Sequence, residues 1–276
     1  GFDTYLCNNN NLGTRLNRST YTSNSILVPT NINSHNSFNQ LVSLKEGKVT
    51  KFSFPRNDGK EVLATGMANS YGAVEKNDYS LLTENASGPG NYTKGYGAVY
   101  PYVNIYEPIP VLASCQIYVN GSQINWNYYS YTNAVIHRQG LGFRGFEKII
   151  CSSNKGSITQ TYDPFNYSIL KSEDGPSSKN TYNFSVGVQA NKTVKIRLNS
   201  KTEESKATRT SVTTSYIYDT YGNPTQTIEN YPNGITLKTV NTYTNQTSES
   251  NYLLGLLTDQ TITKSRNGSS TERVQT

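Results

Sequence analysis

Residues 216–224 read Tyr-Ile-Tyr-Asp-Thr-Tyr-Gly-Asn-Pro. Tyr216 and Tyr218 alternate along an extended chain, so both fall on one face of a strand, and Asp219 to Pro224 is turn chemistry. The same pattern fills the rest of the sequence. Val212, Thr214, Tyr216 and Tyr218 share one face. So do Tyr182, Phe184, Val186 and Val188, then Val194, Ile196 and Leu198, then Ile235, Leu237 and Thr239, and upstream Cys115, Ile117 and Val119. Period-two alternation means strands with one buried face. Asn120-Gly121, Asn233-Gly234 and Asn267-Gly268 sit between such strands, and Asn-Gly accepts the positive φ angles that tight hairpins need. Asp58-Gly59 and Lys155-Gly156 are weaker signals of the same kind. No segment carries a convincing helical period over ten or more residues; Ser250 to Leu257 is expected to form at most one short helical turn, with Gly255 too near for more. The expected fold class is all-β, with antiparallel hairpins and meanders forming extended twisted sheets.

Composition supports this reading. The 276 residues include 22 Tyr, while Asn, Ser and Thr are abundant, a mixture that suits pleated surfaces and turns. Only 34% of residues are hydrophobic, but disorder would not bring so many tyrosines in regular alternation. The net charge of +6 does not point to nucleic acid, because the basic residues are dispersed and the densest run, Lys192 to Arg209, contains Glu203 and Glu204. Cys7, Cys115 and Cys151 are too few and too far apart for a disulfide framework, although one pair could form. No apolar run is long enough to span a membrane, and the chain shows no signal peptide.

Two regions are expected: residues 1–97, an N-terminal β region, and residues 98–276, a region of repeated hairpins. Glu84 to Gly97 and Ser172 to Asn180 are rich in turn formers and read as long surface loops or linkers. Tyr162-Asp163, Tyr218-Asp219 and Asn241-Thr242-Tyr243-Thr244 are each followed by turn residues and another strand, a degenerate repetition. Thr271 to Thr276 read as the outgoing strand of the Asn267-Gly268 hairpin, so the chain is expected to be a piece of a longer protein with an unpaired edge, prone to pair with another copy.

A longer stretch strengthens the repeat. Tyr128 to Lys148 reads Tyr-Tyr-Ser-Tyr-Thr-Asn-Ala-Val-Ile-His-Arg-Gln-Gly-Leu-Gly-Phe-Arg-Gly-Phe-Glu-Lys, and Thr161-Tyr162-Asp163-Pro164-Phe165 follows after a strand and a turn at Gly156. Together with 216–224 this resembles the YD repeats of Rhs-type proteins and a signature of the B component of Tc toxin complexes, in which a Tyr-x-Tyr strand precedes Gly-Arg-Gly-Phe-Leu-Gly-Phe. Here Leu141 stands where Arg is usual and Arg144 where Leu is usual. Tyr252-Leu253-Leu254-Gly255 followed by Thr261-Ile262-Thr263 resembles a recurring Rhs segment, usually Trp-Leu-Leu-Gly. The resemblance covers about residues 70 to 276, and residues 1 to 70 match weakly. It implies a fragment of a β-hairpin shell that encloses or presents a C-terminal toxin or effector domain. It further implies a secreted or cell-surface setting, and the remainder of the same long polypeptide as partner. The residues that carry it are Tyr131, Arg138, Gly140, Gly142, Phe143, Gly145, Phe146, Tyr162, Tyr216, Tyr218, Asp219 and Gly222. The family's self-cleaving aspartyl protease segment has no counterpart in this sequence, nor has any toxin domain.

Three chemical readings compete with a structural role. Gly140, Gly142 and Gly145 fit a dinucleotide-binding Gly-x-Gly-x-x-Gly, with Asp163 eighteen positions beyond Gly145. That chemistry needs a helix opening at the third glycine, and Phe-Glu-Lys-Ile-Ile-Cys-Ser-Ser reads as a strand. The glycines are instead expected to give room for Phe143 and Phe146. His137, Cys151 and Asp163 supply the residue types of a nucleophilic set, but nothing in their spacing supports it. Trp126, Tyr128, Tyr129 and Tyr131 form the densest aromatic cluster, and sugar rings stack on aromatics, so a cell-surface carbohydrate- or protein-binding β-module is the alternative function. The alternation of these rings fits cross-strand pairing better. No enzyme activity, cofactor or metal is expected, because neither Cys-x-x-Cys, His-Glu-x-x-His nor a calcium-loop pattern occurs.

Overall fold

The computed structural model describes residues 2–8, 11–19, 26–30, 40–45, 47–52, 63–83, 91–248 and 251–275. Among them every regular element is a strand. The strands are β1 (Phe2–Asn8), β2 (Asn11–Ser19), β3 (Ile26–Thr30), β4 (Gln40–Lys45), β5 (Lys48–Phe52), β6 (Gly66–Ala68), β7 (Ala73–Leu81), β8 (Tyr92–Thr93), β9 (Tyr102–Asn104), β10 (Pro110–Val119) and β11 (Ser122–His137). They continue with β12 (Gly142–Ser153), β13 (Gly156–Asp163), β14 (Ile169–Asp174), β15 (Ser178–Val188), β16 (Val194–Ser205), β17 (Thr210–Tyr218), β18 (Pro224–Asn230), β19 (Ile235–Ser248), β20 (Asn251–Arg266) and β21 (Ser269–Gln275). Every described pairing is antiparallel, as the short turns require. The Asp58-Gly59 turn and the first half of the Glu84 to Gly97 stretch, residues 84–90, lie outside the described residues.

Packing divides the chain into two units: Gly1–Tyr92 with Tyr106–Trp126, and Thr93–Ile105 with Asn127–Thr276. This differs from the single cut at 97/98 read from the sequence. Residues 93–105 belong with the later strands because the Ile105 N–H donates to the Ala134 carbonyl and β9 pairs β11 at Tyr102↔His137. In the first unit β1 pairs β2, β3-β4-β5 form a sheet, and β10-β7-β6 are hydrogen-bonded in that order. Leu81, Leu82 and Ala113 are buried there.

The second unit is a meander in strict chain order from β11 to β21, each strand bonded to the next. Its buried residues are Ile105, Tyr131, Asn133, Ala134 and Val135, where residues 93–105 run along β11, and Pro164 just after β13. From Phe165 to Ser269 no described residue is buried.

The turns follow the chemistry of their residues, with three corrections. Asn120-Gly121 and Asn267-Gly268 are two-residue turns with positive φ at both positions, 49° and 82°, then 50° and 86°. Asn233-Gly234 belongs instead to a four-residue loop in which only Gly234 turns left-handed, at 70°, while the Tyr231 N–H donates to the Ile235 carbonyl. Pro232 fixes a negative φ and lengthens the loop. Ser172 to Asn180 is neither linker nor long loop: β14 and β15 pair directly across it, at Asp174↔Lys179. Ser250 itself is outside the described residues, but Asn251 to Leu257 is strand, not a helical turn. The β19–β20 ladder captures it, and two register shifts in that ladder hide its alternation.

Candidate functional site

The residues at 216–224 build a hydrogen-bonded knot. Tyr216 and Tyr218, two apart on β17, stack with ring centroids 6.3 Å apart. The Tyr218 hydroxyl donates to the Leu198 carbonyl at 2.8 Å. Asp219 Oδ1 then accepts from the backbone N–H groups of Tyr221, Gly222 and Asn223 at 2.8–2.9 Å. Its Oδ2 accepts from the side-chain amides of Asn223 at 2.8 Å and Asn245 at 3.3 Å. Asn245 in turn accepts the Gly255 N–H at 2.8 Å, tying β20 to the same point. Gly222 holds φ at 101°, a conformation that side chains resist. Arg197 covers the other side: its guanidinium donates to the Asp219 carbonyl at 2.9 Å and lies 5.6 Å from the Tyr218 ring. Burial is the largest influence on the Asp219 carboxyl and raises its pKa, but the hydrogen bonds from Asn223, Gly222 and Asn245 together hold it below the usual carboxylate range. Both oxygens are occupied by donors, so the group is a clasp and offers no base or metal ligand.

A second copy of this clasp escaped the sequence reading. In Asn69-Ser-Tyr-Gly-Ala, Asn69 Oδ1 accepts the N–H groups of Tyr71 and Ala73, both at 3.0 Å. The Gly72 N–H donates to the Asn69 carbonyl, and Gly72 takes φ of 78°. The Gly222 N–H bonds the Asp219 carbonyl in the same way. The signal was visible as Asx-x-Tyr-Gly at both places.

The glycines at 140–145 serve backbone conformation. Gly140, Gly142 and Gly145 have φ of 99°, 67° and 83°, and a Cβ at any of them would meet nothing within 4 Å. This corrects the expectation that they make room for the neighbouring rings. Ala134 pairs Phe146 and Ile136 pairs Phe143, so Arg144 and Gly145 together oppose Val135. That bulge has a consequence for side chains. Phe143 and Phe146, three apart, would point to opposite faces of a regular strand; the extra residue brings them together, with centroids 5.5 Å apart. Phe146 also packs on Tyr131 at 4.7 Å. The Tyr131 phenol is 9% exposed, and its pKa is pushed up to about 12 by burial first, then by Tyr129 and Cys151. The Arg138 N–H donates to the Pro101 carbonyl, and the Tyr162 hydroxyl donates to Gln160 Oε1.

The competing chemistries fare differently. Strand β12 starts at Gly142 and runs through the place where a dinucleotide site needs its helix. The candidate nucleophilic set is pulled apart by register: His137 pairs Gly142 at one end of the β11–β12 ladder, Cys151 pairs Tyr129 eight residues along it, and Asp163 pairs Ile169 at the far end of β13. Eight strand residues span about 26 Å. Cys151 is a free thiol. Among the described residues no three His, Cys, Asp or Glu side chains are grouped to hold a metal. The aromatic cluster is divided as well. On β11, Tyr128 is 50% exposed on one face and Tyr131 is buried on the other, with Tyr129 sharing Tyr131's side; Trp126, on the Tyr128 side by alternation, lies in the first unit. The four residues make no single platform.

No family model matches the chain, and no curated protein matches it in sequence. Solved structures match its fold, among them two of Tc toxin proteins. The crystal structure of TcdB2-TccC3 superposes with a TM-score of 0.64 and that of TcdB2-TccC3-Cdc42 with 0.61, each at 10% identity over 95% of this chain and 18% of the other. The chain thus spans under a fifth of the length of those proteins, and what it shares with that part of the Tc toxin structures is the fold.

Proposed function

We propose that the chain is a non-catalytic structural section of a larger Rhs/YD-repeat polypeptide, a stretch of β-wall that encloses or presents a C-terminal toxin or effector domain outside the cell. The observation that carries this reading is the meander from β11 to β21, in which no described residue from Phe165 to Ser269 is buried. A catalytic or ligand-binding domain of this length normally closes around its own core. This sheet instead keeps Ile196, Ile217, Leu253, Leu256 and Leu257 more than 40% exposed, as a wall does before its neighbours cover it. The fold likeness over 95% of the chain to under a fifth of a Tc toxin structure agrees with a segment of something longer. No membrane-crossing helix is needed for such a role, and no helix among the described residues is long and apolar enough to cross one. The motif residues then act as clasps: Asp219 and Gly222 close one hairpin, and Gly145 sets the bulge that packs Phe143 and Phe146.

The natural full-length polypeptide supplies the test, by electron microscopy and limited proteolysis together. A hollow β-wall with a protease-protected domain inside is expected. A solid particle with no protected segment, or turnover of a substrate by this chain alone, would overturn the reading.

A further inference from the structure

The second unit contains a gap in its own ladder. Strands β14 and β15 pair at only three positions, Asp174↔Lys179, Glu173↔Asn180 and Ser172↔Thr181. Continuing that register would bring Lys171 opposite Tyr182, Leu170 opposite Asn183 and Ile169 opposite Phe184. Those rungs do not form. The strands part there around an open hollow of about 110 Å³, lined by Ile169 and Lys171 on one side and Tyr182, Asn183 and Phe184 on the other. Asp163 and Asn166, from the β13–β14 connection, close its end. The splay has a cause in β14. The β13–β14 ladder shifts between Thr161 and Tyr162, with Lys171 the extra residue on β14, and beyond β15 the β15–β16 ladder shifts between Asn183 and Phe184, with Asn199 the extra residue on β16. Bulges bend the strands that carry them, and they concentrate beside binding sites.

We propose that this notch is a binding subsite for one ring of a neutral saccharide. Tyr182 and Phe184 lie side by side with centroids 6.3 Å apart and planes 30° from parallel, giving an apolar strip against which the C–H face of a pyranose stacks. Asn166 is exposed and its side-chain amide makes no hydrogen bond with the described residues, so it offers both a donor and an acceptor to ring hydroxyls, whereas Asn183, between the two rings on β15, points to the opposite face of the sheet. Asp163 and Lys171 face each other at 3.9 Å. That pair cancels its own charge, which disfavours an anion or a cation and favours a neutral polyol. Strand edges without a partner also leave backbone donors and acceptors that must be met by water or ligand. None of these residues belongs to the Trp126–Tyr131 cluster, and the inference does not depend on the wall reading.

The test is saturation-transfer NMR on the whole chain with methyl glycosides of glucose, galactose, mannose and N-acetylglucosamine, and with glucuronate as a charged comparator. Saturable transfer from at least one neutral glycoside is expected. Asn166→Ala should bind about fivefold more weakly, the effect of losing one hydrogen-bonding group. Its unfolding midpoint should not change, because the side chain is exposed and unbonded, and Asn183→Ala, on the opposite face, and Tyr128→Ala should bind as the parent does. Absence of transfer from every neutral glycoside, transfer unchanged in Asn166→Ala, or a preference for glucuronate would each overturn the proposal.

Discussion

Two parts of the second unit solve the same problem in different ways. Where residues 93–105 run along β11, with β9 paired to it, most of the unit's buried residues gather. Ala134 and Val135 are fully buried there, and Asn133 is 4% exposed at φ of 54°. Asn133 accepts from the Asn104 amide and donates to Glu147 at 2.8 Å, and an added Cβ at Gly95 would overlap its side chain. From β15 to β20 no described residue is buried, and order comes from clasps such as Asp219 and from ring pairs such as Tyr216 with Tyr218. Cooperative packing holds the first part, and local hydrogen bonding spread over many turns holds the second. A substitution should therefore cost more in the buried part than in the exposed strands.

The largest effect should come from Asn133→Ala. It removes the bonds to Asn104 and Glu147 in a buried setting and keeps a left-handed backbone without the side chain that favours it, a cost of about 3 kcal/mol. Gly95→Ala should cost about 1–3 kcal/mol by overpacking against the same side chain. Both are read by urea unfolding, and losses no greater than those of exposed β16 substitutions would remove the contrast between the two parts.

Tyr131 sharpens it through pH. Its folded pKa of about 12 exceeds the unfolded value near 10, so its contribution is fully present below pH 10 and lost as pH rises toward 12. The shift corresponds to about 2–3 kcal/mol. Phenolate absorbance should show one late-titrating tyrosine, and Tyr131→Phe should flatten the fall of the unfolding midpoint at high pH.

A smaller effect separates two explanations of Gly145. If its left-handed φ is what matters, Gly145→Ala costs about 1–2 kcal/mol and Gly145→Asn less, because Asn tolerates that conformation. If room for the rings were what mattered, the larger Asn would cost more.

The smallest change should be Asp219→Asn, which makes this clasp resemble the one at Asn69. Asn keeps an acceptor for the backbone N–H groups but turns a donor toward the amides of Asn223 and Asn245. The Asp219 pKa is depressed, so its contribution is present above about pH 4, the unfolded carboxyl value, and is lost as pH falls through the lower folded one. The midpoint difference between parent and variant should therefore shrink on acidification. A gap that persists at low pH would show that the carboxylate charge is not what ties β20 to the turn.

Much of the fold was legible because hairpins write themselves locally. Alternation marked β15, β17 and the start of β19, and Asn-Gly marked two turns correctly. Sequence failed where one residue's backbone breaks the pattern. Leu253-Leu254-Gly255-Leu256-Leu257 does not alternate because register shifts interrupt it, so it suggested a helical turn. Asn133 gave no signal, since a left-handed residue inside a strand looks like any other Asn. For Gly145 the importance was read correctly and the cause was not: φ can be inferred from a glycine only after the register shows a bulge. The notch at Tyr182 was invisible for a related reason, because a ladder that stops short leaves the alternation of both strands intact.

The strict chain order from β11 to β21 bears on how the protein is made. Each strand's partner is the next one to appear, and the loop to be closed is a handful of residues, so little entropy is spent before the pairing forms. Such a sheet has low contact order and can grow rung by rung, each completed hairpin serving as the template for the one that follows. A chain leaving the ribosome N-terminus first would never wait for a distant partner, and an unfinished product would be a shorter version of the finished one.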